Sequence, residues 1–184
     1  PARCIAIVGT RSMTDYGRDF LAQFLAEARS LNLLVISGLA YGVDAYAHRK
    51  SLDNDIINCA VLAHGLDRIY PAIHRKMAEE IVEAGGSCLT EFPTGTNPDR
   101  ENFPKRNRII AAMSDATLVV EAARKGGALI TAEYANQYNR DVFALPGRIQ
   151  DPLSEGCNLL IKSHRANLLE GARDLAYVMR WEPV

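Results

Sequence analysis

Between Asp99 and Ile110 the chain sets four cations, Arg100, Lys105, Arg106 and Arg108, around one aromatic, Phe103, and beside the amide of Asn107. Each of these side chains suits one part of a nucleotide. Guanidinium and ammonium groups neutralise phosphate, an aromatic face stacks on a base for about 1–3 kcal/mol, and an amide reads a base edge. Pro104 fits the first turn of a helix, which puts Lys105, Arg106 and Arg108 at its N-terminal end. Cations there oppose the helix dipole by roughly a few tenths of a kcal/mol each, a cost most readily accepted where an anion binds at the same end. The same residues would also serve as a solvated face around a core Phe103, and Asn107 would equally hold its own loop.

Glycine, small hydroxyls and cations recur where short apolar runs end. The segments are Gly9-Thr10-Arg11-Ser12, Ser37-Gly38, His64-Gly65-Leu66-Asp67, Lys125-Gly126-Gly127 with Thr131, and Pro146-Gly147-Arg148. Backbone amides and helix N-termini in such loops converge on phosphate. Plain turn geometry also calls for some of these glycines. No G-x-x-x-x-G-K-[ST] is present, and Gly9 is not followed by x-G-x-x-G, so neither a P-loop nucleotidase nor ordinary dinucleotide binding is expected. Asp44 and His48 stand four apart on one helical face, where a structural role is expected rather than acid–base chemistry, with Asp44 suiting the helix start and His48 satisfying that carboxylate or a neighbouring loop. Glu91 and Glu121, at strand ends, are expected to order the glycine loops. No catalytic residue and no metal ligand is assigned.

The elements that must position these side chains alternate along the chain. β-Branched apolar runs at 4–8, 33–36, 57–62, 87–90, 116–120 and 141–145 predict six strands. Several are apolar at successive positions, as strands buried on both faces are. Helical spacing covers 15–31, 43–52, 72–83, 106–113 and 128–138, and an amphipathic stretch follows at 167–179. Strand–helix alternation predicts an α/β fold with a doubly wound, mostly parallel sheet of extended Rossmann-like form. Ligands then bind beyond the carboxyl ends of the strands, the rim where the glycine loops fall. Residues 1–184 read as a single domain, with 150–184 a C-terminal helical extension of it.

The chain has 184 residues, 48% hydrophobic and 23% charged, enough apolar material for a core and too much for a disordered chain. Lysine and arginine number 21 against 22 acidic residues, so any nucleic-acid site is a local patch rather than a basic coat. Cys4, Cys59, Cys88 and Cys157 are far apart and read as buried reduced thiols of a cytoplasmic protein. The histidines lack zinc-ligand spacing. No apolar run approaches the roughly 18–20 residues that span a bilayer, and the N-terminus is not a signal peptide. Residue 1 is proline rather than methionine, which leads to the expectation of a trimmed chain.

Several ordered motifs together resemble one family. They include Gly9-Thr10-Arg11, Ser37-Gly38-Leu39-Ala40-x-Gly42-Val43-Asp44, Gly65-Leu66-Asp67-x-x-Tyr70-Pro71, Phe103-Pro104-x-Arg106-Asn107-Arg108-Ile109-Ile110-Ala111, Gly126-Gly127-Ala128-Leu129-Ile130-Thr131 and Gly156-Cys157-Asn158. Over roughly residues 4–162 the chain is similar to the DNA-processing protein A family, also called Smf. The resemblance implies a Rossmann-like core that binds single-stranded DNA in a basic pocket, without a cofactor or enzymatic activity. It further implies protection of incoming strands in natural transformation, loading of a RecA-type recombinase, and a homodimer. Family members often carry a small N-terminal helical domain and a C-terminal winged helix, and this chain resembles the core alone. His64 and His74 depart from the residues frequent at those family positions.

On that resemblance Arg11 contacts a phosphate, and Ser37 and Gly38 offer a hydroxyl and an amide to the same backbone. Arg100, Lys105, Arg106 and Arg108 line the groove, Phe103 is the stacking platform, and Gly126, Gly127 and Thr131 form a second anion cradle. A competing resemblance joins Gly126-Gly127-Ala128-x-x-Thr131-x-Glu133 to the glycine loop of lysine-decarboxylase-like phosphoribohydrolases, which act on nucleoside 5′-monophosphates. There Glu133 and an arginine would be catalytic. A third possibility is an interaction module that senses a free nucleotide.

Overall fold

The computed structural model describes residues 3–182. Seven parallel strands form one sheet: β1 (Arg3–Val8), β2 (Leu33–Ser37), β3 (Ile57–Val61), β4 (Ser87–Leu89), β5 (Ala116–Val119), β6 (Asp141–Ala144) and β7 (Asn167–Leu168). The helices are α1 (Asp15–Ala28), α2 (Val43–Asp53), α3 (Arg75–Glu83), α4 (Asn102–Met113), α5 (Gly127–Gln137), α6 (Glu155–Lys162) and α7 (Ala172–Met179). Strand order is β4-β3-β2-β1-β5-β6-β7. The chain winds outward from β1 to β4, returns through α4, and continues outward on the other side from β5. The direction of winding therefore reverses between β1 and β5, and the strand ends open a crevice there.

Continuous apolar strands follow from burial on both faces. Ile5 and Ile7 enter one core with Leu21 and Phe24 of α1, Val43 and Ala47 of α2 and Leu175 of α7. Ala6 and Val8 point the other way, into a core with Ile110 and Ala111 of α4, Ala128, Ala132 and Ala135 of α5 and Leu160 of α6. The alanines of α5 let α4 pack closely beside it, which brings the N-terminal halves of both helices to the same crevice.

The doubly wound parallel sheet agrees with the sequence reading, and four elements differ. A seventh strand forms from residues 167 and 168, which pair with Phe143 and Ala144 where a helix is expected. Leu169 extends the pairing by donating its N–H to the Ala144 carbonyl at 3.0 Å, and α7 begins only after Gly171. The tail thus adds to the sheet as well as capping it with helices. Helix α4 starts at Asn102 rather than 106, because the buried Asn102 amide donates to the Asn97 carbonyl at 3.0 Å and its N–H to Asp99 O at 2.9 Å. Pro104 is then its third residue, still within the turn that needs no N–H donor. Two 3₁₀ turns, Arg29–Leu31 and Ala72–His74, take the end of the first expected helix and the start of the third.

Candidate nucleic-acid interface

A pocket of about 290 Å³ opens at the β1–β5 switch point. Gly9, Thr10 and Arg11 enter it from the end of β1, Phe103, Arg106 and Asn107 from α4, and Gly126, Gly127 and Thr131 from the start of α5. Gly42 allows the loop after β1 to close on α2. At φ +76° it avoids the left-handed penalty of an L side chain, and a Cβ there would meet the Thr10 carbonyl at 2.3 Å. The Val43 N–H then donates to Thr10 O at 3.0 Å.

Arg106 is the centre of the site. It is 4% exposed, and its Nη1 donates to the carbonyls of Gly38 at 2.8 Å and Val61 at 2.6 Å. Its Nε donates to Asn107 Oδ1 at 3.0 Å. Among the described residues no carboxylate lies within ion-pair distance of this guanidinium. Asp44 is its electrostatic counterweight from further off, at the pocket wall. Burial pushes the Asp44 carboxyl up from its ordinary range, while Arg106 and the N–H groups of Gly38 and Ala40 pull it down. Buried cations are ordinarily paired. This one keeps charge to offer a ligand.

Phe103 sits between two cations. The guanidinium carbons of Arg11 and Arg106 each lie 5.6 Å from its ring centroid, within cation–π range. Arg11 is exposed and forms no ion pair among the described residues. Across the pocket no side chain caps α5, so its first N–H groups are open beside Gly126 and Gly127. Thr131 is 1% exposed, and its hydroxyl has no hydrogen-bond partner among the described residues. The arrangement is a wall of donors: two guanidiniums, an amide, a hydroxyl and a helix N-terminus. It suits an anion, with an aromatic ring beside it.

The other sequence candidates lie elsewhere. The Ser37 hydroxyl is fully buried and donates to the Ile7 carbonyl at 2.6 Å. The Gly38 N–H donates to Asp44 Oδ2 at 3.0 Å, so neither donor faces the pocket. Arg100 and Lys105 are exposed beside the pocket without lining it. Arg108 is paired with Glu91, which therefore does not order a glycine loop. Glu121 does: its buried carboxylate accepts from the N–H of Thr14, at 2.9 Å, and from its hydroxyl. Asp44 and His48 each find a structural partner in another element rather than in one another. Asp44 binds Gly38, and His48 Nδ1 meets Asn58 Oδ1 at 2.7 Å. Glu133 pairs with Arg165 and does not line the pocket, which leaves the hydrolase reading without its expected carboxylate there.

Sequence reasoning missed Thr10 and Asp44 as pocket residues, although Asp44 is the acidic residue in the first turn of the helix that follows Gly42. The two unusual histidines shape the neighbouring wall. His64 Nε2 accepts the Tyr70 N–H at 3.2 Å, which makes Nδ1 the donor to the Gly65 carbonyl at 2.9 Å. His74 Nδ1 bonds the Leu39 carbonyl at 2.7 Å. The Cys157 thiol, pushed up to about 12 by burial, is an inert core group. Among the described residues no cluster of His, Cys, Asp or Glu is placed to hold a metal, and no helix is long and apolar enough to cross a membrane.

Residues 1–180 match the family model of DNA recombination-mediator protein A. Protein Smf of Synechocystis is 47% identical over 157 residues, 85% of this chain and 39% of its own length. The structure of DNA processing protein A from Streptococcus pneumoniae superposes with a TM-score of 0.88 at 35% identity, covering 98% of this chain and 62% of that one. DNA processing protein A from Helicobacter pylori, characterised for its single-stranded DNA binding mode, matches with a TM-score of 0.88 at 27% identity. That match covers 99% of this chain and 82% of the Helicobacter protein. The chain spans 39% to 49% of the length of its Smf relatives from Synechocystis and Escherichia coli. A Rossmann-like sheet, a donor-lined pocket at its switch point and these matches along almost the whole chain place the protein in the DNA recombination-mediator protein A family.

Proposed function

We propose that this chain binds single-stranded DNA in the pocket at the β1–β5 switch point, acting in the processing of incoming strands during natural transformation. The observation that carries the reading is Arg106: a buried guanidinium with no ion-pair partner among the described residues, sharing the pocket wall with Arg11 and Phe103. A phosphodiester supplies the missing anion, and a base supplies a partner for the ring. Phosphate is held by Arg11, Arg106, the start of α5 at Gly126 and Gly127, and the Thr131 hydroxyl, with Arg100, Lys105 and Arg108 as outer cations. The family's description as a recombination mediator and the likeness to the Helicobacter protein support this reading. Handover of the strand to a RecA-type recombinase, a homodimer, a cytoplasmic location and binding without a cofactor or catalytic step belong to the same proposal.

The test is fluorescence anisotropy with a labelled oligonucleotide of about 35 residues, single-stranded and duplex, across a salt series. Preferential binding of the single strand with a steep salt slope is expected, and Arg11→Ala should reduce that slope by about 0.7. Unchanged affinity in a folded Arg11→Ala/Arg106→Ala double variant rejects the pocket. Release of free base from a nucleoside monophosphate would favour the hydrolase instead.

A further inference from the structure

Next to the main pocket lies a narrow cleft that shares Arg11, Phe103 and Arg106 with it and adds Tyr41 and Tyr70. Its volume of about 10 Å³ holds one water and no base. The ligand surface is therefore its lips. Tyr41 is 48% and Tyr70 45% exposed, as Tyr16 and Tyr177 also are elsewhere, and what sets these two apart is their place beside Arg11, Phe103 and Arg106. Both rings are fixed by one edge. Tyr70 stands edge-on to Phe103 at 6.0 Å, with its backbone N–H held by His64, and Tyr41 stands edge-on to His74 at 5.3 Å. A ring held in this way loses little freedom when a base stacks on it.

We propose that Tyr41 and Tyr70 are base-stacking residues that carry the strand out of the pocket over the loops following β2 and β3. This deepens the single-stranded DNA reading and rests on it. Arg11 lies over Phe103 and Phe103 meets Tyr70, so the shared wall sets a cation beside two consecutive aromatics, groups that suit the phosphate and bases of a single strand. The opposite rim differs. Arg124 and Lys125, which precede Gly126 in the chain, are exposed, and among the described residues no aromatic lines the pocket on that side. That side suits phosphate alone, so unstacked bases are placed toward the tyrosines. A protein partner would also cover exposed aromatics, but the two guanidiniums that share the cleft with them favour a polyanion.

The experiment compares Tyr41→Leu, Tyr70→Leu and the matching phenylalanine variants of the whole chain, using oligo-dT and an abasic strand of equal length. The readouts are anisotropy, thermal melting and the fluorescence of 2-aminopurine walked along the strand. Loss of the ring should weaken oligo-dT binding by roughly tenfold per tyrosine, and phenylalanine should restore it. The abasic strand should bind the wild type and both leucine variants alike. Quenching of 2-aminopurine at one or two positions should disappear in the leucine variants. Leucine variants that melt like the wild type and bind oligo-dT equally well would overturn the proposal, while an intact effect of Arg11→Ala would leave the pocket reading standing. A wild type that binds no single strand would overturn both.

Discussion

Arg106 Nε donates to Asn107 Oδ1 at 3.0 Å, and this bond decides which end of the Asn107 amide is left for the pocket. A guanidinium carries only donors, so the amide oxygen must turn to it and the NH₂ group remains. The two roles open for Asn107 from sequence, holding its own loop and meeting a nucleotide, are therefore compatible in one rotamer.

Asn107→Asp tests what that NH₂ group does. The carboxylate can still accept from Arg106, so the fold should persist within a few degrees of the wild-type melting point. It would neutralise Arg106 and face any phosphate with like charge. Single-stranded DNA affinity should fall by tenfold or more, about 1.4 kcal/mol, in anisotropy at fixed salt. Equal affinity in the folded variant would mean that the amide does not face the ligand.

Gly38→Ala acts on the other side of the same guanidinium. A Cβ at Gly38 would stand 2.6 Å from Arg106 Cζ, while the Gly38 and Val61 carbonyls hold that group in place. The arginine must leave its two acceptors, an overpacking cost of roughly 1–3 kcal/mol. Urea unfolding should show that loss, and DNA affinity should fall with it because Arg106 no longer sits at the pocket wall.

Gly127→Ala separates stability from binding. Nothing lies within 4 Å of a Cβ placed there, at the first residue of α5. Stability should hold or rise by about 0.5–1 kcal/mol, as replacing a helical glycine by alanine does. The added methyl should obstruct a phosphate approaching the helix N-terminus, so affinity should drop in a protein that melts no lower than the wild type. Unchanged affinity would remove α5 from the binding site.

The sheet was legible in the sequence because its strands are buried on both faces: residues 5 to 8 of β1 are all buried, and the run reads as apolar without alternation. β7 was not legible, since two residues paired with Phe143 and Ala144 carry no period of their own. In the site, Arg11, Phe103, Arg106, Asn107, Gly126, Gly127 and Thr131 gather around one pocket, as expected from their loops at the strand ends. Ser37 was misplaced because a strand-end hydroxyl can turn outward or across the sheet, and only the Ile7 carbonyl decides which. The Asp44–His48 contact, one of the two open to His48 from sequence, does not form for a related reason. Helical spacing puts two side chains on one face, but the Gly38 amide and Asn58 lie in other elements and compete for them.

His48 should make stability fall as solution is acidified. Its ring is fully buried, Nδ1 donates to Asn58 Oδ1, and Nε2 has no partner among the described residues. Burial lowers its pKa from 6.5 to about 4, with the positive charges of His74 and Arg106 adding to that effect. The folded chain therefore binds fewer protons than the unfolded chain between those two values. The stabilisation is complete above the unfolded pKa and is lost as pH falls toward 4, which amounts to roughly 2 kcal/mol between pH 7 and pH 5. Asp44, raised by burial, works in the opposite direction, so the wild-type slope alone does not isolate His48. The difference between wild type and His48→Gln does, because glutamine has no charge to titrate. Urea unfolding at pH 7, 6 and 5 should show His48→Gln losing stability less steeply than the wild type, with the gap between them closing as pH falls. Parallel curves would mean that His48 protonates as readily in the folded chain as in the unfolded one, and that its buried, half-bonded ring carries no acid sensitivity.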